Sequence, residues 1–188
     1  FYVGLNSKYI QQTIANSHAK GFALDFGTLF ITPFGFNLGT SISNFGSKLM
    51  MTGDDLLIGA DVDENINGNN ESVTGTLSTD YFDLPLVLRI GVSDEFKISS
   101  RGSIVLSMDA ISPNDNANYI NIGSEINFFD GLIFLYSGMN SLLLEDKESE
   151  FSLGGGLRLP KNSLSINFTH EQMKFLGNSQ QVSISINY

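Results

Sequence analysis

The residues able to do chemistry are few in this chain and are not spaced for it. The only two histidines, His18 and His170, stand far apart, and neither has the short spacing of a metal pair. Cysteine is absent, which removes thiolate zinc sites, cysteine nucleophiles and disulfides. Serine and aspartate are plentiful, but no nucleophile elbow marks a Ser-His-Asp arrangement. Gly154-Gly155-Gly156 lies inside a strand pattern with no helix after it. It reads as a strand bend or a close-packing point, not as a phosphate loop. The segment densest in oxygen ligands is Asp61-Val62-Asp63-Glu64-Asn65-Ile66-Asn67-Gly68-Asn69-Asn70-Glu71. Asp61, Asp63 and Asn65 resemble part of a calcium loop, yet no Glu follows at the distance such a loop requires. The segment therefore reads as a solvated loop, with calcium at those three residues the lesser alternative. No catalytic residue and no cofactor is expected.

Charge narrows the partners. The chain has 188 residues, 20 acidic against 10 basic, for a net charge of −10. No Lys/Arg cluster offers a footprint for nucleic acid. From Leu49 to Leu88 there is no Lys or Arg, while eight acids contribute −8 of that total. Residues 47–82 are therefore expected to form a long acidic surface loop. Long loops carry function, so partner contact is expected there, through Asp54, Asp55, Asp61, Asp63, Glu64, Asn67, Asn69 and Glu71.

The elements that must position these residues are strands. Almost every segment alternates with period two. Phe22, Leu24, Phe26 and Phe30 share one face, with Ala23, Asp25 and Gly27 on the other. Leu88, Ile90 and Val92 oppose Arg89 and Gly91, and Ile120, Ile122 and Ile126 oppose Asn121, Gly123 and Glu125. Alternation and turn residues predict roughly ten strands. They lie near 1–11, 21–33, 35–45, 83–93, 103–112, 118–129, 131–140, 150–159, 162–171 and 180–188. Short turns such as Pro33-Phe34-Gly35 and Phe129-Asp130-Gly131 alternate with longer polar connections, the mark of an up-and-down meander. No apolar run approaches a membrane helix, but strands of about 9–11 residues suit a tilted transmembrane strand. The polar face is Gly, Ser, Asn and Thr with an occasional Asp25, Arg89, Asp109 or Glu125, as in a barrel lumen. The last strand, with Val182, Ile184, Ile186 and a final Tyr188, has the form that outer-membrane assembly machinery reads. Because Phe1 opens directly into strand-like text, the chain is expected to be a piece of a longer protein.

The order of segments resembles a known family. Gly4-Leu5-Asn6-Ser7-Lys8-Tyr9-Ile10 and Ala23-Leu24-Asp25-Phe26-Gly27 resemble successive motifs of the PorV/PorQ family of outer-membrane proteins. Leu38-Gly39-Thr40-Ser41-Ile42-Ser43-Asn44-Phe45-Gly46-Ser47-Lys48-Leu49-Met50, running on to Gly53-Asp54-Asp55-Leu56, looks like its longest signature. Asp83-Leu84-Pro85 with Arg89-Ile90-Gly91-Val92 is similar to its next strand. So is Asp109 with Ser112-Pro113-Asn114-Asp115-Asn116 and Asn121-Ile122-Gly123-Ser124-Glu125, although Ser112 stands where the family has His. From Leu142 onward the likeness is one of pattern. The resemblance implies a FadL-like barrel of about fourteen strands, of which this chain would be the carboxy-terminal part. It also implies a place in type IX secretion, where such proteins receive folded cargo and pass it to a surface-attachment complex.

These readings converge on an all-β fold. Residues 1–188 are expected to form an antiparallel up-and-down transmembrane β-barrel in the outer membrane of a Gram-negative bacterium. Its partners would be outer-membrane lipid and secretion-machinery or cargo proteins, bound by rim loops without catalysis. The alternatives are a FadL-like channel for small hydrophobic solutes, a soluble β-sandwich adhesion or carbohydrate-binding module, and a filament or surface-layer subunit.

Overall fold

The structure, a computed structural model, describes residues 1–60, 73–145, 149–159, 164–174 and 177–186. In chain order the strands are β1 (Tyr2–Ile14), β2 (Ser17–Ile31), β3 (Asn37–Gly46), β4 (Thr52–Gly53), β5 (Leu57–Ala60), β6 (Val73–Thr76) and β7 (Val87–Ser99). They continue with β8 (Gly102–Pro113), β9 (Tyr119–Phe128), β10 (Ile133–Leu142), β11 (Ser149–Leu159), β12 (Leu164–Met173) and β13 (Asn178–Ile186). The fold is all-β. Eleven strands form one antiparallel up-and-down sheet in the order β1-β2-β3-β7-β8-β9-β10-β11-β12-β13, with β4 alongside β2. The sheet is not closed, and β1 and β13 are its edges. Strands β5 and β6 form a separate hairpin.

By its contacts the chain divides into two units: residues 1–4, 26–42 and 87–188, and residues 5–25 and 43–86. In the first unit the register carries one side-chain parity from strand to strand. Phe96 pairs with Ile104, Ile104 with Ile126, and Ile126 with Leu135. Leu135 pairs with Gly155, Gly155 with Phe168, and Phe168 with Val182. One position along, the row reads Glu95, Val105, Glu125, Tyr136, Gly154, Thr169, Gln181. The sheet thus has an apolar face and a polar one, because successive residues of a strand point to opposite sides. The apolar face is bare: Phe96 and Leu135 are each 51% exposed and Val182 is 67% exposed. Among the described residues only Ala19, Ala23, Leu49, Leu84, Ile111 and Phe134 are buried hydrophobics.

Local chemistry fixes this register. The β9–β10 turn places Phe129 at φ 53° and Asp130 at φ 59°. Both central residues of a type I′ turn are left-handed, and the Gly131 N–H closes this one on the Phe128 carbonyl at 3.1 Å, within the connection 129–132 between the paired Phe128 and Ile133. Left-handed backbone costs a Phe about 1–2 kcal/mol, so the strand pairing on either side holds this turn. Between β10 and β11 the three glycines are a close-packing point. A Cβ on Gly156 would meet Phe134 Cζ at 2.7 Å, and one on Gly154 would meet Tyr136 Cζ at 2.5 Å. On the opposite face a Cβ on Gly155 would meet Leu135 Cδ2 at 2.7 Å. Three consecutive side chains of β10 therefore lie flat on three consecutive glycines of β11, and Phe134 and Tyr136 stack at 6.0 Å.

The second unit has a small core of Ala19, Ala23, Leu49 and Leu84, with Ile10 and Met51 against it. On β2, Ser17, Ala19, Gly21 and Ala23 are buried, while Phe22 and Leu24 on the other parity are exposed. The acidic segment expected as a plain loop is partly ordered. It holds β4, one 3-10 turn over Asp54–Leu56, and the β5–β6 hairpin. At its base Leu49 is wholly buried, and Leu84 just beyond the segment is 7% exposed, whereas Leu57, Ile58 and Val73 of the hairpin are exposed.

Replacement of Gly154 or Gly156 by Ala should destabilise the sheet by about 1–3 kcal/mol, the range for overpacking against fixed neighbours. Gly59→Ala, where nothing lies within 4 Å, should be near neutral. Guanidinium unfolding of the three variants side by side reads the difference.

Candidate functional site

In the second unit a polar cluster ties the acidic segment at its neck. Asp25 accepts from Lys8 Nζ at 2.7 Å, from Asn6 Nδ2 at 3.2 Å and from the Asn44 backbone N–H at 2.9 Å. Lys8 also donates to Asn44 Oδ1 at 2.8 Å. Asn44 sits at φ 61°, a left-handed position that Asn tolerates better than most residues. Its Nδ2 donates to the Pro85 carbonyl at 2.8 Å. One side chain thereby joins the chain just before the segment to the chain just after it. A second clamp is the bridge between Leu49 and Phe82, with both N–H···O distances 2.8 Å. Lys48 and Asp83 add an exposed ion pair at 3.3 Å.

Farther out, Asp55 accepts from the Asn16 backbone N–H at 2.8 Å and from Asn16 Nδ2 at 2.9 Å. These bonds, the side-chain one first, hold its carboxyl below the ordinary carboxylate range. Asp54 beside it is exposed. Of the expected partner-binding residues, Asp61, Asp63, Glu64, Asn67, Asn69 and Glu71 lie outside the described residues. So do Asn65 of the calcium alternative and the terminal Tyr188. Val182, Ile184 and Ile186 are exposed along the edge strand β13.

Of the expected lumen residues, Asp25 belongs to the neck cluster. Arg89, Asp109 and Glu125 share the polar face of the first unit by register: Arg89 faces Ile111, Asp109 faces Gly91 and Asn121, and Glu125 faces Val105 and Tyr136. Among the described residues no ion pair joins these three. Glu125 lines a hollow. That hollow, about 610 Å³, is bordered by Glu95, Lys97, Arg101, Glu125, Asn127 and Arg158. A second of about 450 Å³ adjoins it, sharing Val105, Glu125 and Arg158 and walled by Phe134, Tyr136 and Asn167. Arg158 lies over the Phe134 ring at 4.7 Å, and the Tyr136 hydroxyl meets Thr169 Oγ1 at 2.6 Å. Asn127 Oδ1 is shut away from water and has no hydrogen-bond partner.

Sequence reasoning missed Lys8, Asn6, Glu95, Lys97 and Arg158. Parity along β7 was the available signal for two of them, because Glu95 and Lys97 continue the odd-numbered face that carries Arg89. Nothing local foretells Lys8 against Asp25, a contact made only by strands brought side by side.

The Asp55 geometry fixes a sign for pH. Its folded pKa is lowered, so its contribution is complete above the unfolded carboxylate value of about 3.9 and is lost as pH falls through the lowered one. Hydrogen-exchange protection of the Asn16 amide should therefore hold from neutral pH down to about 4 and drop below it. Asp55→Ala should abolish that protection at every pH.

Comparison of the chain with protein-family models, with curated proteins and with solved structures finds no match.

Proposed function

We propose that the chain is part of a non-enzymatic outer-membrane β-barrel of the PorV/PorQ type. On this reading it binds partners or cargo of a type IX secretion and surface-attachment system through its rim loops. One observation carries the membrane half: the apolar parity is exposed from β7 through β13, while the opposite face bears the polar and charged groups. Leaving a Leu, Ile or Phe bare in water forgoes roughly 1.5–3 kcal/mol each, and a single sheet has no second layer to recover it. Lipid does so on every strand at once. The lengths agree, since β7 to β13 run from 9 to 13 residues against the roughly 9–11 that a tilted strand needs to cross.

The partner half rests on the acidic segment and on the ordered motifs that resemble the family. The connection after β3, residues 47–86, is by far the longest; those after β8 and β10, residues 114–118 and 143–148, leave from the same end, and those after β2, β7 and β9, residues 32–36, 100–101 and 129–132, from the other. The elaborate end is the surface end on this reading, with the short turns in the periplasm. The neck formed by Asn44, Pro85, Leu49 and Phe82 holds the acidic segment as one projecting unit, suited to meeting a protein with basic surface.

The test is made on full-length protein from the source cell. The expected result is recovery in the membrane fraction, a detergent requirement, and mobility on an SDS gel that changes on heating. Solubility without detergent and no mobility change would overturn the barrel and favour a covered β-sandwich. With the barrel intact, exchanging Asp54, Asp61, Asp63, Glu64 and Glu71 for amides should release its co-purifying secretion proteins. Their retention would place the contact elsewhere.

A further inference from the structure

The adjoining hollows on the polar face lie among β7 to β12, strands interior to the sheet order, so neither is made by an open edge. Their size falls in the range of small-molecule sites. Their charges are largely unspent. The one ion pair there, Arg101 with Asp130, is 4.0 Å long between side chains 73% and 72% exposed. Among the described residues Glu95, Lys97, Glu125 and Arg158 make no ion pair.

The charges are also sorted along the strands. At the turn level stand Arg101, against Asp130, and Arg158; the next level in carries Lys97 and Asn127, in one row through Ser103. The level beyond carries Glu95 and Glu125, in one row through Val105. Two residues along a strand advance about 6.8 Å. A cationic level and an anionic level therefore face the same space roughly 7 Å apart. Tyr136 pairs with Glu125 across β9 and β10 and lines the second hollow with it.

We propose that this trough binds a small zwitterion of dipeptide length. An extended dipeptide spans about 7 Å between its termini. Its ammonium would meet Glu95 and Glu125, against the Tyr136 ring. Its carboxylate would meet Lys97 and Arg101. This inference does not rest on the membrane reading, because the polar face and its hollows are the same whatever covers the other face.

The test is isothermal titration of the full chain with glycylglycine, in detergent if the protein requires it. Saturable binding is expected, weakened about tenfold by acetylating the amine and about tenfold by amidating the carboxylate, since each removes a charge-assisted contact. Glu125→Gln should weaken glycylglycine and narrow the difference between the free and acetylated forms, with Glu95 still in place. Lys97→Gln should do the same for the free and amidated forms. Asp80→Asn, an exposed acid in the other unit, should change nothing. Circular dichroism confirms that each variant keeps its strands. Absence of saturation, indifference to capping, or an equal loss in Asp80→Asn would overturn the proposal; the last would mark general attraction to a chain of charge −10.

Discussion

Alternation along a paired strand is the constraint on which everything else depends. A slip of one residue would carry every side chain of that strand to the opposite face. On β10 it would set Phe134 and Tyr136 among the bare aliphatic residues and send Leu135 toward Glu125. The pairing has strong local reasons to stay where it is. Phe134, Leu135 and Tyr136 fit only against Gly156, Gly155 and Gly154, because any other strand partner presents a side chain in the same space. The left-handed Phe129–Asp130 turn sets the β9 partner of the same strand from its other side. Two independent devices thus lock one strand, and the Glu125 row and the hollows beside it inherit their geometry from that lock.

The acidic segment poses the opposite problem, since like charges with no interspersed cation repel and favour extension. Its neck answers this with groups that do not depend on the segment's own charge. Leu49 is driven into the notch at Gly21, where a Cβ would clash with its side chain, and Phe82 pairs with it through the backbone. Asn44 contributes through its conformation as much as its bonds. The left-handed turn aims its N–H at Asp25 while its side chain spans Lys8 and Pro85.

Much of the sheet was legible in the sequence, because period-two alternation and the turn residues act locally. Each of the ten long strands overlaps the stretch where alternation places it, although β2 starts at Ser17 and β7 at Val87 where strands were expected from 21 and 83. The ends were less legible. Strand β7 runs on to Ser99 because Asp94-Glu95-Phe96-Lys97 keeps the alternation, although its charges resemble a loop. Strand β1 runs to Ile14 through Gln11-Gln12-Thr13, which are polar on both faces. The β5–β6 hairpin escaped because each strand has four residues, too few for periodicity to register. In the candidate site Glu125 was legible by parity, but its company was not. Glu95 and Lys97 come to it across two strand pairings, and Lys8 comes to Asp25 in the same way. Such neighbours are set by register, which no single segment contains.

The bare apolar face and the charged polar face constrain each other. Ionised Glu95, Lys97, Glu125 and Arg158 cannot be turned to a hydrocarbon phase without a cost of several kcal/mol apiece. Water must therefore reach the polar face, and whatever covers the protein must lie against the other. A second copy could hide a patch of a few strands, but exposed hydrophobic residues of this parity occur on each of seven successive strands. A cover of that extent must follow the sheet wherever it twists, which a fluid hydrocarbon does and a rigid surface does not. The proposed membrane setting and the proposed polar ligand thus draw on one asymmetry. On those proposals lipid would take the face that water rejects, and the hydrated face would keep its charges apart for a ligand.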